Sequence, residues 1–214
     1  MSLRTVGSQD KRRNVNTHES ILEKAVKHAR PRLFHWIVFR RNLEVPFPLI
    51  PNPAGAVVEK YDYYDLDAVC AQINHAECQS YLRHGHRKGQ QCFLARVNGA
   101  LAGMTFISHN PVIARKRLVL HLKSDQRYSG NSFVLPKFRG NKIFHHLKIE
   151  SYRAQVPLGI RYVFNMVAIK NQASIRTHQN LSAEPVNRFN IVGWLLLNFS
   201  WNRPISDHKA RQRQ

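Results

Sequence analysis

Apolar and polar residues recur along this chain with periods that change from segment to segment, and each change marks an element. In residues 92–108, CFLARVNGALAGMTFIS, two strand-like runs flank Asn98-Gly99. That pair is favoured in two-residue hairpin turns, because both of its positions tolerate positive φ. LFHWIVFR (33–40) reads as an earlier strand, and the proline-punctuated EVPFPLIPNPAG (44–55) as the loop after it. YDLDAVCAQINHAECQSYLRHG (64–85) has the pattern of one or two helices, with His84 and His86 in a basic loop beyond them. RKRLVLHLKS (115–124) alternates basic and apolar residues, as a half-exposed strand does.

The order becomes most informative from YSGNSFVL (128–135) onward. A strand ends at Pro136, and a helix begins near Gly140 with Ile143, Phe144, Leu147, Ser151 and Ala154 on one face. Gly159 turns the chain into IRYVFNMVAI (160–169), a continuous apolar run that suits a strand covered on both sides. Strand, crossover helix and parallel strand is the implied unit. NQASIRTHQNL (171–181) predicts a short helix, and a last pair of strands holds the apolar run IVGWLLLNFSW (191–201). At the other end, Thr17 can cap a helix in which Ile21, Leu22, Ala25, Val26 and Ala29 recur at helical spacing until Pro31. Its apolar face is expected to pack on the domain; a basic amphipathic helix for a membrane or a partner is the alternative. The organisation expected is a basic leader (1–16), one α/β domain (17–201) and a basic tail (202–214).

Composition narrows the function classes. A hydrophobic fraction of 43% in 214 residues supports a packed core. The net charge of +20 implies an anionic partner, which could be nucleic acid, acidic lipid, an acidic carrier protein or a phosphate-bearing cofactor. Cys70, Cys78 and Cys92 lack metal-ligand spacing and are read as thiols in a reducing compartment. No apolar run has the length of a membrane span, and the first residues lack a secretory core, so a cytoplasmic location is the expectation. His145 and His146 point in different directions on a helix, and His84 and His86 sit among Arg83, Arg87 and Lys88, which repel a cation, so no metal is expected.

Two motifs carry the chemistry. The segment VLPKFRGNKIFHHL (134–147) follows a strand and opens a helix, and NQASIRTHQNLSAEPV (171–186) follows the next strand. In this order they resemble the GNAT N-acetyltransferase superfamily, most clearly over residues 92–185. The family pattern V-x-P-x-[YF]-R-G, with pyrophosphate signature [QR]-x-x-G-x-[GA], falls on Lys137-Phe138-Arg139-Gly140-Asn141-Lys142, with Lys142 at a glycine position and Phe144 where a small residue is usual. The second block resembles N-x-x-[AS]-[IL]-x-[LF]-[YH], with Ser182-Ala183 in place of a Gly-Phe pair.

The resemblance implies a mixed central sheet flanked by helices, with a β-α-β cofactor unit. It implies an acyl donor, acetyl-CoA or another acyl-CoA, held by Phe133, Val134, Leu135, Lys137, Phe138, Arg139, Gly140, Asn141, Lys142, Ile143 and Phe144, with Asn171 and Ser174 near the pantetheine arm. Free amides at a helix start suit a diphosphate, provided that Phe144 turns into the core beside Leu147. His178 stands where the family often places the acid that protonates the leaving thiolate, and Val134 N–H would polarise the thioester. For the base, His121, Asp125, Glu77 and an ordered water all stay open. The acceptor would be a small-molecule amine. An acidic acyl carrier protein is the alternative donor, and a basic non-enzymatic binder of nucleic acid or a membrane surface is a third reading. No DNA- or RNA-binding motif favours nucleic acid. A homodimer is a further expectation, since such folds often pair.

Overall fold

The computed structural model describes residues 32–52, 54–73, 75–110, 112–114, 118–194 and 197–204. The leader, the helix read between Thr17 and Ala29, and residues 205–214 of the tail lie outside them. Strand β1 (Arg32–Asn42) leads through the proline loop to β2 (Val57–Tyr61). Helices α1 (Leu66–Ala71) and α2 (Ala76–Arg87) follow, and then the hairpin of β3 (Gln91–Val97) and β4 (Ala100–Ser108). Its turn holds Asn98 at φ 49° and Gly99 at φ 77°, as the Asn-Gly pair predicts.

Of the strand expected at 115–124, the described residues hold only β6 (Leu118–Leu120), which pairs with β5 (Val112–Ala114) ahead of it; residues 121–125 lie outside any strand, and residues 115–117 are outside the described set. An alternating pattern specifies a half-exposed strand but not its partner, and a neighbour a few residues away closes the smallest loop. The main unit then runs β7 (Gln126–Val134), α3 (Ile143–Arg153), β8 (Tyr162–Ala168). Helix α4 (Gln172–Asn180), β9 (Glu184–Trp194) and β10 (Leu197–Pro204) complete the chain, with β10 ending three residues past the expected domain limit.

Eight strands form one sheet in the order β10-β9-β1-β8-β7-β4-β3-β2. Among the described residues only β7 and β8 run parallel; every other neighbouring pair in this sheet is antiparallel. The β3–β4 hairpin carries helices on both faces. On one, Ile143 and Leu147 of α3 pack with Phe93, Ala95 and Ala102. On the other, Val69, Cys78 and Leu82 of α1 and α2 pack with Leu94, Met104 and Phe106. Each such side chain contributes about 1.5–3 kcal/mol when fully buried.

The packing of α2 on β4 depends on Gly85. A Cβ there would stand 2.5 Å from Phe106 Cε1 and 3.0 Å from Tyr63 Oη. Gly85 also shows that His84 and His86 sit in the last turn of α2 rather than in a loop, because helical spacing continues to Arg87. β8 differs from the fully covered strand expected of it: Val163, Asn165 and Val167 are buried, whereas the residues between them are only half-covered. The three cysteines are buried free thiols, and burial pushes the Cys78 thiol up to about 11, so none is a reactive thiolate. Among the described residues no helix is long and apolar enough to cross a membrane.

Candidate active-site cleft

β7 and β8 run side by side only from Gln126–Tyr128 against Tyr162–Phe164, and then part. β8 stays in register with β1 as far as Trp36 opposite Ala168. β7 instead follows β4 through a bulge in which Asn131 and Ser132 both oppose Thr105. Asn131 adopts φ 48°, a region that Asn tolerates better than most residues. A bulge bends its strand, so β7 turns away and a cleft of about 1260 Å³ opens between the strands.

Register decides which main-chain groups face the gap. Leu135 N–H donates to Ala102 C=O at 2.9 Å. Val134, one residue earlier, therefore directs its N–H and C=O the other way, into the cleft. Its carbonyl accepts from Arg139 Nε at 3.2 Å.

The loop after β7 supplies a second set of main-chain donors. Phe138 and Arg139 amides donate back to Leu135 and Pro136 carbonyls within a short 3₁₀ turn. Gly140 then takes φ 84° and Lys142 φ 56°, which delays the helix from Gly140 to Ile143. Among the described residues the amides of 140–144 donate to no main-chain carbonyl. At the positive end of α3 such groups suit an anion. The Lys142 side chain is exposed. The far end of α4 repeats the same substitution: Ser182, at φ 56°, stands where the resemblance expects glycine. Ala183 N–H to His178 C=O and Ser182 N–H to Gln179 C=O, both at 2.9 Å, still close the helix in the glycine-type manner.

Of the expected donor-binding residues, Phe133, Val134, Arg139, Phe144, Asn171 and Ser174 line the cleft. Leu135, Phe138 and Ile143 do not: the Leu135 amide is engaged, Phe138 packs on the core, and Ile143 lies within it at 1% exposure. Lys137, Gly140, Asn141 and Lys142 form an exposed rim. Asn171 Oδ1 accepts from Ser174 N–H at 3.1 Å, so this pair caps α4 as well as facing the cleft.

Two expectations need correction. Phe144 does not turn into the core beside Leu147. Its ring lies on the cleft wall, edge-on to His178 at 6.2 Å between centroids, with Lys148 Nζ 5.3 Å from its centre. The cause is that α3 buries two stripes: Ile143, Leu147 and Tyr152 pack in the core with the hairpin, while Phe144 and Lys148, four apart, face the gap. His178 does not suit the acid role. It is 2% exposed and stacked on Phe39 at 5.4 Å. Burial first, and then the charges of Lys148 and His145, push its pKa down to about 3. It is therefore neutral near pH 7 and has no imidazolium proton to give. Its Nδ1 is buried without a partner.

The group that titrates in the cleft is Lys148, which the motifs do not single out. It is 2% exposed, bonded to Ser129 Oγ at 2.7 Å, Asn165 Oδ1 at 3.2 Å and Thr105 Oγ1 at 3.3 Å. Burial pushes its pKa down to about 7. The available signal was its place four residues after Phe144 and four before Tyr152 on a helix whose neighbouring positions are apolar. Lys88, Arg139 and Lys148 line the cleft, and among the described residues no carboxylate does. His121, Asp125 and Glu77 lie outside it, whereas Tyr81 and His84 of α2 reach its far side.

These features define a class. No protein-family model matches the chain, and no curated protein is significantly similar to it in sequence. Solved structures are similar in fold. A GCN5-related N-acetyltransferase from Sphaerobacter thermophilus superposes with a TM-score of 0.57 at 16% identity, covering 86% of this chain and 57% of that one. A GCN5-related glucosamine N-acetyltransferase region of a fungal multi-domain GH3 β-N-acetylglucosaminidase gives 0.57 at 14% identity, over 82% and 22%. A functionally unknown conserved protein from Staphylococcus epidermidis gives 0.53 at 11%, over 80% and 66%. The chain thus spans less than two thirds of each of these proteins. It has the fold of the GNAT N-acetyltransferases: a mixed sheet whose one parallel pair parts around a cleft.

Proposed function

We propose that the protein is an N-acyltransferase that passes an acyl group from an acyl-CoA thioester to an amine by direct attack. The observation that carries this reading is the parting of β7 from β8 after Tyr128 and Phe164, with Val134 N–H facing the gap and the open amides of 140–144 at its mouth. The residues present fit the donor even though Phe144 faces the cleft, because its ring is set against His178 and Lys148 on the cleft wall. Five main-chain amides at a helix start can hold a diphosphate, the exposed Lys137, Arg139 and Lys142 add charge, and among the described residues no carboxylate lines the cleft.

In this reading Val134 N–H holds and polarises the acyl donor along β7. The amine lone pair attacks the thioester carbon, the C–S bond breaks, and the sulfur leaves with the electron pair. A thiol pKa of about 8.5 makes the thiolate a tolerable leaving group, so a dedicated acid adds little. His178 then serves as a neutral hydrogen-bonding wall. The amine proton passes toward the far side, where the His84 imidazole lines the cleft as a candidate base.

Thermal unfolding with acetyl-CoA and with CoA, followed by thiol release over a panel of amines, tests the proposal. The expected result is a raised Tm with both ligands and thiol release with at least one amine. No shift with any acyl-CoA and no thiol released would overturn it.

A further inference from the structure

At the vertex of the cleft, where β7 leaves β8, Lys148 has hydrogen-bond partners but no counter-charge. Its Nζ meets Ser129 Oγ, Asn165 Oδ1 and Thr105 Oγ1 at 2.7, 3.2 and 3.3 Å, all of them neutral. A fully buried ammonium without a carboxylate is costly, so the amine either gives up its proton or takes up an anion that meets the charge.

Asn165 beside it carries an independent sign of a ligand. Its Oδ1 accepts from Lys148 and from Tyr152 Oη at 3.1 Å, which settles the orientation of the amide. Its Nδ2 is then left with no acceptor, although the residue is 2% exposed and lines the cleft. Buried N–H groups without acceptors are rare in native structures. An uncompensated positive charge and an unused donor thus lie side by side at the end of an open cleft.

We infer that the vertex binds a small carboxylate, which accepts from Asn165 Nδ2 and rests against the Lys148 ammonium. This rests on the acyl-transfer reading for its place in the reaction. Ser132, two residues before Val134, is linked to Lys148 through Thr105, with contacts of 2.6 and 3.3 Å. A thioester held against the end of β7 therefore brings its acyl group toward the vertex. The carboxylate has two sources: the distal end of a dicarboxylic acyl donor, or the carboxylate of an amino acid acceptor.

Thermal unfolding with roughly 10 mM succinate, and with succinamide as its neutral counterpart, tests the site without any thioester. Succinate is expected to raise Tm and succinamide is not. Lys148→Met, and Asn165→Asp, which supplies a carboxylate of its own, are both expected to lose the shift. Equal shifts in wild type and Lys148→Met, or no shift with succinate, overturn the inference. Roughly tenfold tighter binding of succinyl-CoA than acetyl-CoA assigns the carboxylate to the donor, and a roughly tenfold higher kcat/KM for alanine than for ethylamine assigns it to the acceptor. Succinate binding without CoA binding leaves the anion site standing and sinks the acyl-transfer reading. CoA binding without any response to succinate does the reverse.

Discussion

Lys148 Nζ lies 3.2 Å from Asn165 Oδ1 and so ties helix α3 to strand β8 just past the point where β8 leaves β7. The same nitrogen holds Ser129 of β7 at 2.7 Å. One buried lysine therefore bridges the two strands whose separation makes the cleft.

That bridge predicts a pH dependence. Folding lowers the Lys148 pKa from 10.5 to about 7, so between these values the unfolded chain holds more protons than the folded one, and stability rises with pH. His178 and His145 add positive charge nearby when protonated, and Tyr152 and Phe144 face the amine from its own helix. Lys148→Met is expected to flatten that rise and to stabilise the protein at pH 7 by roughly 2 kcal/mol, after hydrogen-bond losses of about 1 kcal/mol each. Urea titrations of both proteins at pH 6, 7, 9 and 10 check this.

His178 governs the acid side. Its pKa falls from 6.5 to about 3 on folding, so the unfolded state again binds the extra proton and stability drops as pH falls below about 6.5. His178→Phe, which preserves the stack on Phe39, is expected to remove much of that drop. An acid limb equally steep in the variant, measured by circular dichroism between pH 7 and 4, would place the titration elsewhere.

Lys142 and Ser182 occupy left-handed backbone positions at φ 56° that cost an L-residue about 1 kcal/mol. Glycine removes that strain but adds freedom to the unfolded chain. Each substitution by Gly is expected to be neutral to stabilising by about 0.5 kcal/mol, and each by Val to destabilise by more than about 1 kcal/mol. Chemical denaturation of the four variants reads the sign.

Phe144 narrows the cleft between α3 and α4 without serving the core. Phe144→Ala is expected to cost about 1 kcal/mol of stability while admitting water to His178, whose pKa then moves up toward its ordinary value. Under the acyl-transfer reading the same change enlarges the Tm shift given by CoA. An NMR titration of the His178 ring and a ligand melt measure the two effects separately.

Much of the architecture was legible in the residues. Asn98-Gly99 specified a hairpin because few pairs accept its backbone angles, and the strand–helix–strand order around Pro136 and Gly159 specified the parallel unit. Val134, Arg139, Asn171 and Ser174 were placed at the cleft by the resemblance, whose motifs fall on short stretches at a strand end and two helix starts. Phe144 could not be placed: helical periodicity says which residues share a face, but not that α3 has one neighbour in the hairpin and another across the gap.

By itself, then, the sequence determined the order of the elements, the turn types and the amide-rich loop, all of which depend on residues close together in the chain. Only the tertiary structure decided that Lys148 and His178 are buried together, that one is depressed to about 7 and the other to about 3, and that Asn165 keeps an unused donor beside them. Those properties arise from desolvation where α3, α4, β4, β7 and β8 converge and from the charges that α3 brings there, a convergence no local pattern records.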